Sequence, residues 1–188
     1  LLKRSFDRLD GRIAVSKPAL GFVQHHFPGD YRIIPNGIDF KRFSSDLAPL
    51  TDFQDDKLNI LFVGRFSKSK GIETLINAFS IIKNELKDSA TRLVIMGVDF
   101  GYQDEMEKLI KKLNLSEEIK VIKNPPREDV ISAYGESEFL VLPSQWELSP
   151  LVPLESFAFK KPVISTSSHG IPFTVKDGNC LLYTSDAA

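Results

Sequence analysis

Leu58-Asn59-Ile60-Leu61-Phe62-Val63-Gly64-Arg65-Phe66-Ser67-Lys68-Ser69-Lys70-Gly71 is the stretch on which the fold turns. Its first half is an apolar run of strand length that suits burial on both faces, and it breaks at Gly64. Beyond Gly71, the residues Ile72, Leu75, Ile76, Phe79, Ile82 and Leu86 recur at the spacing of one helical face. The stretch predicts a strand at 58–63, a charged turn, and a helix from about Gly71. Downstream the same alternation continues. Strands are expected at 92–96, 119–123, 138–142 and 162–166. The helices between them are one burying Met106, Leu109, Ile110 and Leu113, one near 128–135, and one at 151–160. Short β-branched runs alternating with helices predict an α/β fold with a parallel sheet flanked by helices. Ligands of such sheets sit beyond the carboxyl ends of strands, which singles out the loops after Val63, Met96, Leu142 and Thr166.

Upstream, residues 12–16 and 31–35 read as strands around a short helix from Lys17 to Phe27, followed by an Asn36-Gly37 turn. Residues 44–57 carry Ser44, Ser45, Pro49 and aspartates 46, 52, 55 and 56 with little periodicity, and read as a linker. The whole chain has 188 residues, enough for one domain or one domain plus a piece of another. Hydrophobic residues at 42% and charged residues at 26% fit an ordinary soluble protein. A net charge of −1 without a basic tract disfavours nucleic-acid binding by a broad positive face. Apolar runs such as Ile60–Val63 are too short to cross a bilayer. The single cysteine, Cys180, excludes an internal disulfide framework and a cysteine-rich metal site. A soluble protein of a reducing compartment is expected, cytoplasmic or at the inner face of the membrane. Leu1-Leu2-Lys3-Arg4 reads as a start in mid-domain. The tail from Cys180 to Ala188 reads as a translated sequencing-adapter read-through, which resequencing past Asn179 would test.

Two loops carry the chemistry. Gly64 to Gly71 sets Arg65, Lys68 and Lys70 between a strand and a helix, which suits a phosphate group seeking cations and backbone N–H donors. Arg65 can fork onto two phosphate oxygens, while Lys70 acts as a compact point charge. The spacing is neither that of a P-loop nor that of a dinucleotide fingerprint, and an exposed turn with solvated lysines is the plain alternative. The second loop, Pro143-Ser144-Gln145-Trp146-Glu147-Leu148-Ser149-Pro150-Leu151-Val152-Pro153-Leu154-Glu155, runs from a strand end into a helix beginning near Pro150. Glu147 falls in the loop and Glu155 on the helix. Free N–H groups near Ser149, Leu151 and Val152 would point at the ligand space, with the carboxylates accepting from sugar or ribose hydroxyls. The alternative is a loop acid and a helix-surface acid paired by chance.

Together these residues resemble the group 1 (family 4-type) glycosyltransferases, retaining enzymes whose two Rossmann-like domains face a cleft in the GT-B architecture. The likeness runs in order from about Asp10 to Asn179. It takes in Ile13–Ser16, Ile34–Asp39, Val63–Phe66 with Lys70-Gly71, Gly97–Tyr102, Pro143-Ser144 with Glu147 and Glu155, Lys161–Ile164 and Gly170–Pro172. The resemblance implies a Rossmann-like donor domain at 58–188, truncated at its end. It also implies a stub of the acceptor-side domain at 1–35 and an interdomain linker at 36–57. Gly64, Arg65 and Lys70 would hold the donor diphosphate together with Ser149, Leu151 and Val152. Glu155 would bind the ribose, and Glu147 would contact the transferred sugar. Arg65, Lys70 and Glu147 are thus the candidate catalytic residues. A nucleotide-diphosphate sugar (UDP-, GDP- or ADP-) would be the donor, with no cofactor and no metal. A glycan or lipid-linked acceptor would bind through the missing domain, with peripheral membrane association of the whole enzyme.

Three positions depart from the family pattern. Pro150 and His169 stand where glycine is common, and Phe173 where a glutamate usually follows Ile-Pro. His169 is read as structural, and His25 and His26 as surface or packing residues. The rivals are a non-catalytic module of the same fold, favoured by Phe173 and Pro150, and a sugar-nucleotide epimerase. A phosphorylase would need a cofactor-lysine motif, and none is seen.

Overall fold

A computed structural model describes residues 5–6, 8–43, 50, 53, 55–86, 90–175 and the backbone of 181–183. The chain opens with β1 (Ile13–Ala14), α1 (Lys17–His26) and β2 (Arg32–Ile33). β1 and β2 pair in parallel as a separate two-stranded sheet, and both are shorter than the expected runs. Ser16 caps α1 by accepting the Ala19 N–H, and Pro18 sits in the first turn, where its missing N–H costs nothing. His25 and His26 are exposed, as expected of surface residues. Most of the expected linker lies outside the described residues. Its Phe53 is nevertheless buried in the main core, and Asp55 grips Arg92 through two hydrogen bonds of 2.8 and 3.0 Å.

The main unit contains β3 (Leu58–Val63), α2 (Ile72–Leu86), β4 (Thr91–Gly97), α3 (Gln103–Lys112) and β5 (Ile119–Lys123). It continues with α4 (Arg127–Glu136), β6 (Phe139–Leu142), α5 (Val152–Ala158), β7 (Val163–Thr166), α6 (Ile171–Thr174) and β8 (Leu181–Tyr183). All six strands are parallel, in the order β5-β4-β3-β6-β7-β8. β8 and the short α6 are elements the sequence pattern does not reveal.

Alternation along the central strands explains the two layers. Ile60 and Phe62 enter a core with Ile72, Ile76 and Phe79 of α2 and Met106 and Ile110 of α3. Leu61 faces the other way, into a core with Tyr134 of α4 and Leu140, Leu142 and Val163. Burial on both faces is why 58–63 is apolar without a break. One correction concerns α2: Ile82 is 38% exposed rather than part of the buried stripe. At about 100° per residue it falls at the stripe's edge. The Leu86 side chain lies outside the described residues.

Candidate functional site

The strand order reverses between β3 and β6, so the connections leaving their carboxyl ends part to opposite faces and leave a crevice. The loops that follow these strands are the two that carry the charged residues. Gly71 lets them approach: it adopts φ 69°, and a Cβ there would lie 2.0 Å from the Pro143 carbonyl oxygen. The Gln145 N–H donates to the Ser69 carbonyl at 2.9 Å and fastens one loop to the other. A third loop joins them after β7. Thr166 Oγ1 donates to the Ser144 carbonyl at 2.6 Å, and the Gly170 N–H to the Glu147 carbonyl at 2.8 Å. Gly170 is itself required, since a Cβ would fall 1.9 Å from the Leu148 carbonyl oxygen.

Within this frame Lys70 Nζ contacts Glu147 Oε1 at 2.5 Å, and both side chains are 14% exposed. Ser144 Oγ donates to the same oxygen at 3.0 Å. No protein donor among the described residues reaches Glu147 Oε2, so one carboxylate oxygen is committed and the other is open to a ligand. Arg65, exposed, lies with its guanidinium carbon 5.2 Å from the centre of the Phe100 ring and is paired with no carboxylate among the described residues. Arg65, Lys70, Glu147 and Ser149 line one cavity of about 310 Å³, together with Ser69, Trp146, Leu148 and Val15. Gly64 lies under this loop, its carbonyl oxygen close against Gly97, rather than on the cavity wall.

Glu155 has a different setting. It is 5% exposed, which removes the helix-surface alternative. Tyr134 Oη donates to its Oε2 at 2.7 Å and Arg127 Nη2 to its Oε1 at 2.6 Å, so both oxygens are occupied. Burial pushes the Tyr134 hydroxyl well above the usual tyrosine range, and the Glu155 carboxylate beside it adds to the effect. Tyr134 therefore stays a proton donor. Glu155, Leu151 and Arg127 line a second cavity of about 480 Å³ with Asp39, Arg42 and Phe43. The sequence-predicted residues thus divide between two cavities. Arg65, Lys70, Glu147 and Ser149 share the first, and Leu151 and Glu155 the second. Val152 packs on the core and lines neither.

Ser149 owes its placement to the first segment of the chain. Ser16 Oγ donates to the Leu148 carbonyl at 2.7 Å, and Asn36 Nδ2 to the Ser149 carbonyl at 3.0 Å. In a trans peptide the C=O and N–H point in opposite directions, so this anchor turns the Ser149 N–H away from Ser16. That N–H has no acceptor among the described residues. Arg127, Tyr134, Ser16 and Asn36 were not foreseen as site residues. Ser16 and Asn36 lie in segments quoted for the family resemblance, but nothing local connects either with residues 148–149. Arg127 and Tyr134 carry no signal at all, being ordinary helix residues until the fold closes.

A doubly wound parallel sheet with a charged crevice at its strand-order reversal defines a Rossmann-like α/β domain of the GT-B kind. The model of the glycosyl transferases group 1 family matches residues 48–187, and the chain belongs to that family. It is 27% identical over 183 residues to a D-inositol 3-phosphate glycosyltransferase of Corynebacterium kroppenstedtii, covering 92% of this chain and 41% of that protein. It is 28% identical over 127 residues to an uncharacterized 41.2 kDa protein in the cps region of Klebsiella pneumoniae, covering 68% of this chain and 32% of that one. Among solved structures, sucrose-phosphate synthase from Thermosynechococcus elongatus superposes with a TM-score of 0.79 at 25% identity, over 98% of this chain and 48% of the other. Anabaena HepE in complex with UDP-glucose gives 0.81 at 21% identity, over 98% and 52%. The chain spans well under two thirds of the length of each of these relatives.

Proposed function

We propose that this chain is the donor-binding half of a retaining glycosyltransferase, which moves a sugar from a nucleotide-diphosphate donor to a glycan or lipid-linked acceptor. The observation that carries this reading is the convergence of Arg65 and Lys70 with Glu147 on one cavity at the strand-order reversal. In this reading Arg65 and Lys70 hold the diphosphate and stabilise the charge that grows as it departs. Glu147 anchors Lys70 through Oε1 and accepts from a sugar hydroxyl through Oε2. The bond from the anomeric carbon to the diphosphate oxygen breaks, and a bond to the acceptor oxygen forms on the same face. The acceptor proton leaves with the diphosphate. Glu155 takes the ribose, with Arg127 giving way at Oε1.

Residues 1–35 would close the acceptor-side domain, 36–57 link the two, and 58–188 form the donor domain. The whole enzyme would work in the cytoplasm, either free or at the inner face of the membrane. By itself the chain is expected to bind donor weakly and to transfer nothing, because a closed cleft needs both walls. UDP-glucose belongs among the donors to try because the Anabaena neighbour binds it. An inositol phosphate belongs among the acceptors because of the relatives' names.

Calorimetry with UDP, GDP and ADP tests the reading. At least one should bind, and Arg65→Ala and Lys70→Ala should each weaken it about tenfold or more. A folded sample that binds none of the three would overturn the assignment.

A further inference from the structure

Trp146, on the wall of the Lys70–Glu147 cavity, meets aromatic rings from two other segments. Trp146, in the loop after β6, is 43% exposed, and Phe22 of α1 is 55% exposed. Their centroids are 5.8 Å apart at 72°. His169, in the loop after β7, stands 5.7 Å from Trp146 at 64°. Both contacts with Trp146 are edge-on, and all three residues remain exposed to solvent. Scattered exposed aromatics are ordinary, but a cluster assembled from distant segments beside a cavity marks a binding surface.

The cluster is also held in place. Ser168 Oγ bridges to the Gln145 carbonyl at 2.5 Å and to His169 Nδ1 at 2.7 Å. His169 adopts φ 45°, a left-handed conformation that non-glycine residues rarely take. Trp146 itself lines the cavity with Glu147, Arg65 and Ser149.

We infer that Trp146, Phe22 and His169 form a stacking subsite for a pyranose ring. The inference rests on the glycosyl-transfer reading above for its ligand class. A pyranose has a face of C–H groups and a rim of hydroxyls. An aromatic face covers the former, while the open Glu147 Oε2 and the Ser149 N–H receive and donate to the latter. An acyl chain or apolar peptide would leave those polar groups without partners. The ring belongs either to the transferred sugar of the donor or to the acceptor's end sugar. Phe22, carried by the segment assigned to the acceptor side, favours the acceptor.

Trp146 is the only tryptophan, so all tryptophan emission comes from the wall of this cavity, and titrations with UDP alone supply its baseline. The chain is titrated with the methyl glycopyranosides of glucose, galactose and mannose, with and without saturating UDP, and the affinities of UDP and UDP-glucose are compared. At least one glycoside should change Trp146 emission saturably. Phe22→Ala should weaken that affinity about tenfold, and Trp146→Leu, read by ligand-observed NMR, should do the same. UDP affinity should not move in Phe22→Ala, whose side chain lies off the cavity wall. Glycoside binding that adds to UDP assigns the acceptor sugar. An advantage of UDP-glucose over UDP that disappears in both variants assigns the donor sugar. The proposal falls if no glycoside binds and UDP-glucose gains nothing over UDP, or if the two variants leave sugar binding intact. Glycoside binding at Trp146 without binding of UDP, GDP or ADP would keep the subsite and remove the donor reading.

Discussion

A carboxylate as buried as that of Glu155 persists only when its oxygens are hydrogen-bonded. Tyr134 and Arg127 supply those bonds from positions 21 and 28 residues away in sequence. The two donors differ in kind. Tyr134 is fully buried and cannot yield, whereas Arg127 is half exposed, lies over the Phe43 ring, and can swing into solvent. Tyr134→Phe should therefore cost about 1–3 kcal/mol in urea unfolding, because Oε2 loses its donor with no water to replace it. A Tyr134→Phe protein as stable as the parent would show that water reaches Oε2. At this scale the sequence marks Glu155 as a candidate but does not distinguish a ligand-facing acid from one already engaged. That distinction depends on which side chains of α4 lie across from α5.

Among the elements, α3 shows how a loop residue organises a helix start. Asp99 Oδ1 accepts the N–H groups of Gly101 and Tyr102 at 3.0 Å and of Gln103 at 3.1 Å. The Tyr102 N–H is the largest influence holding the Asp99 carboxyl below its usual 3.8. The Gln103 and Gly101 N–H groups and Lys123 add to it, and together they outweigh the opposing effect of desolvation. A carboxyl depressed in the folded state contributes stability above its unfolded value and loses it as pH falls through the folded value. Acid should thus weaken the loop between β4 and α3 below about pH 4. Asp99→Asn should lower the melting temperature near neutral pH and flatten its fall in acid; an unchanged acid limb would refute the role. The helices themselves were legible because apolar residues recur at a fixed period. The four-residue α6 and the two-residue strands β1 and β2 are too short for any period to show, so their bounds depended on partners.

At the scale of the whole molecule, the first segment and the site loop are tied by Ser16 to Leu148 and Asn36 to Ser149. The opposite end of the sheet is tied separately, by Asp55 and Asn59 on Arg92. Ser16→Ala should free the 148–149 peptide, raising amide exchange there and weakening nucleotide-diphosphate binding. Arg92→Leu should lower overall stability and leave that binding unchanged. If both variants behaved alike, the latch would be a general stabiliser and not a determinant of the site.

The order of elements from β3 to β7, the two-faced burial of 58–63 and the choice of the loops after β3 and β6 were set by periodicity and turn chemistry within single segments. Those are local properties, and the sequence determined them unaided. Tertiary structure alone decided that Lys70 is paired with Glu147, that Glu155 is enclosed by Tyr134 and Arg127, and that Val15 of the first segment joins the wall of the cavity. Each of these depends on a distance between segments far apart in the chain. Such distances are settled by packing across the sheet, which no local pattern encodes.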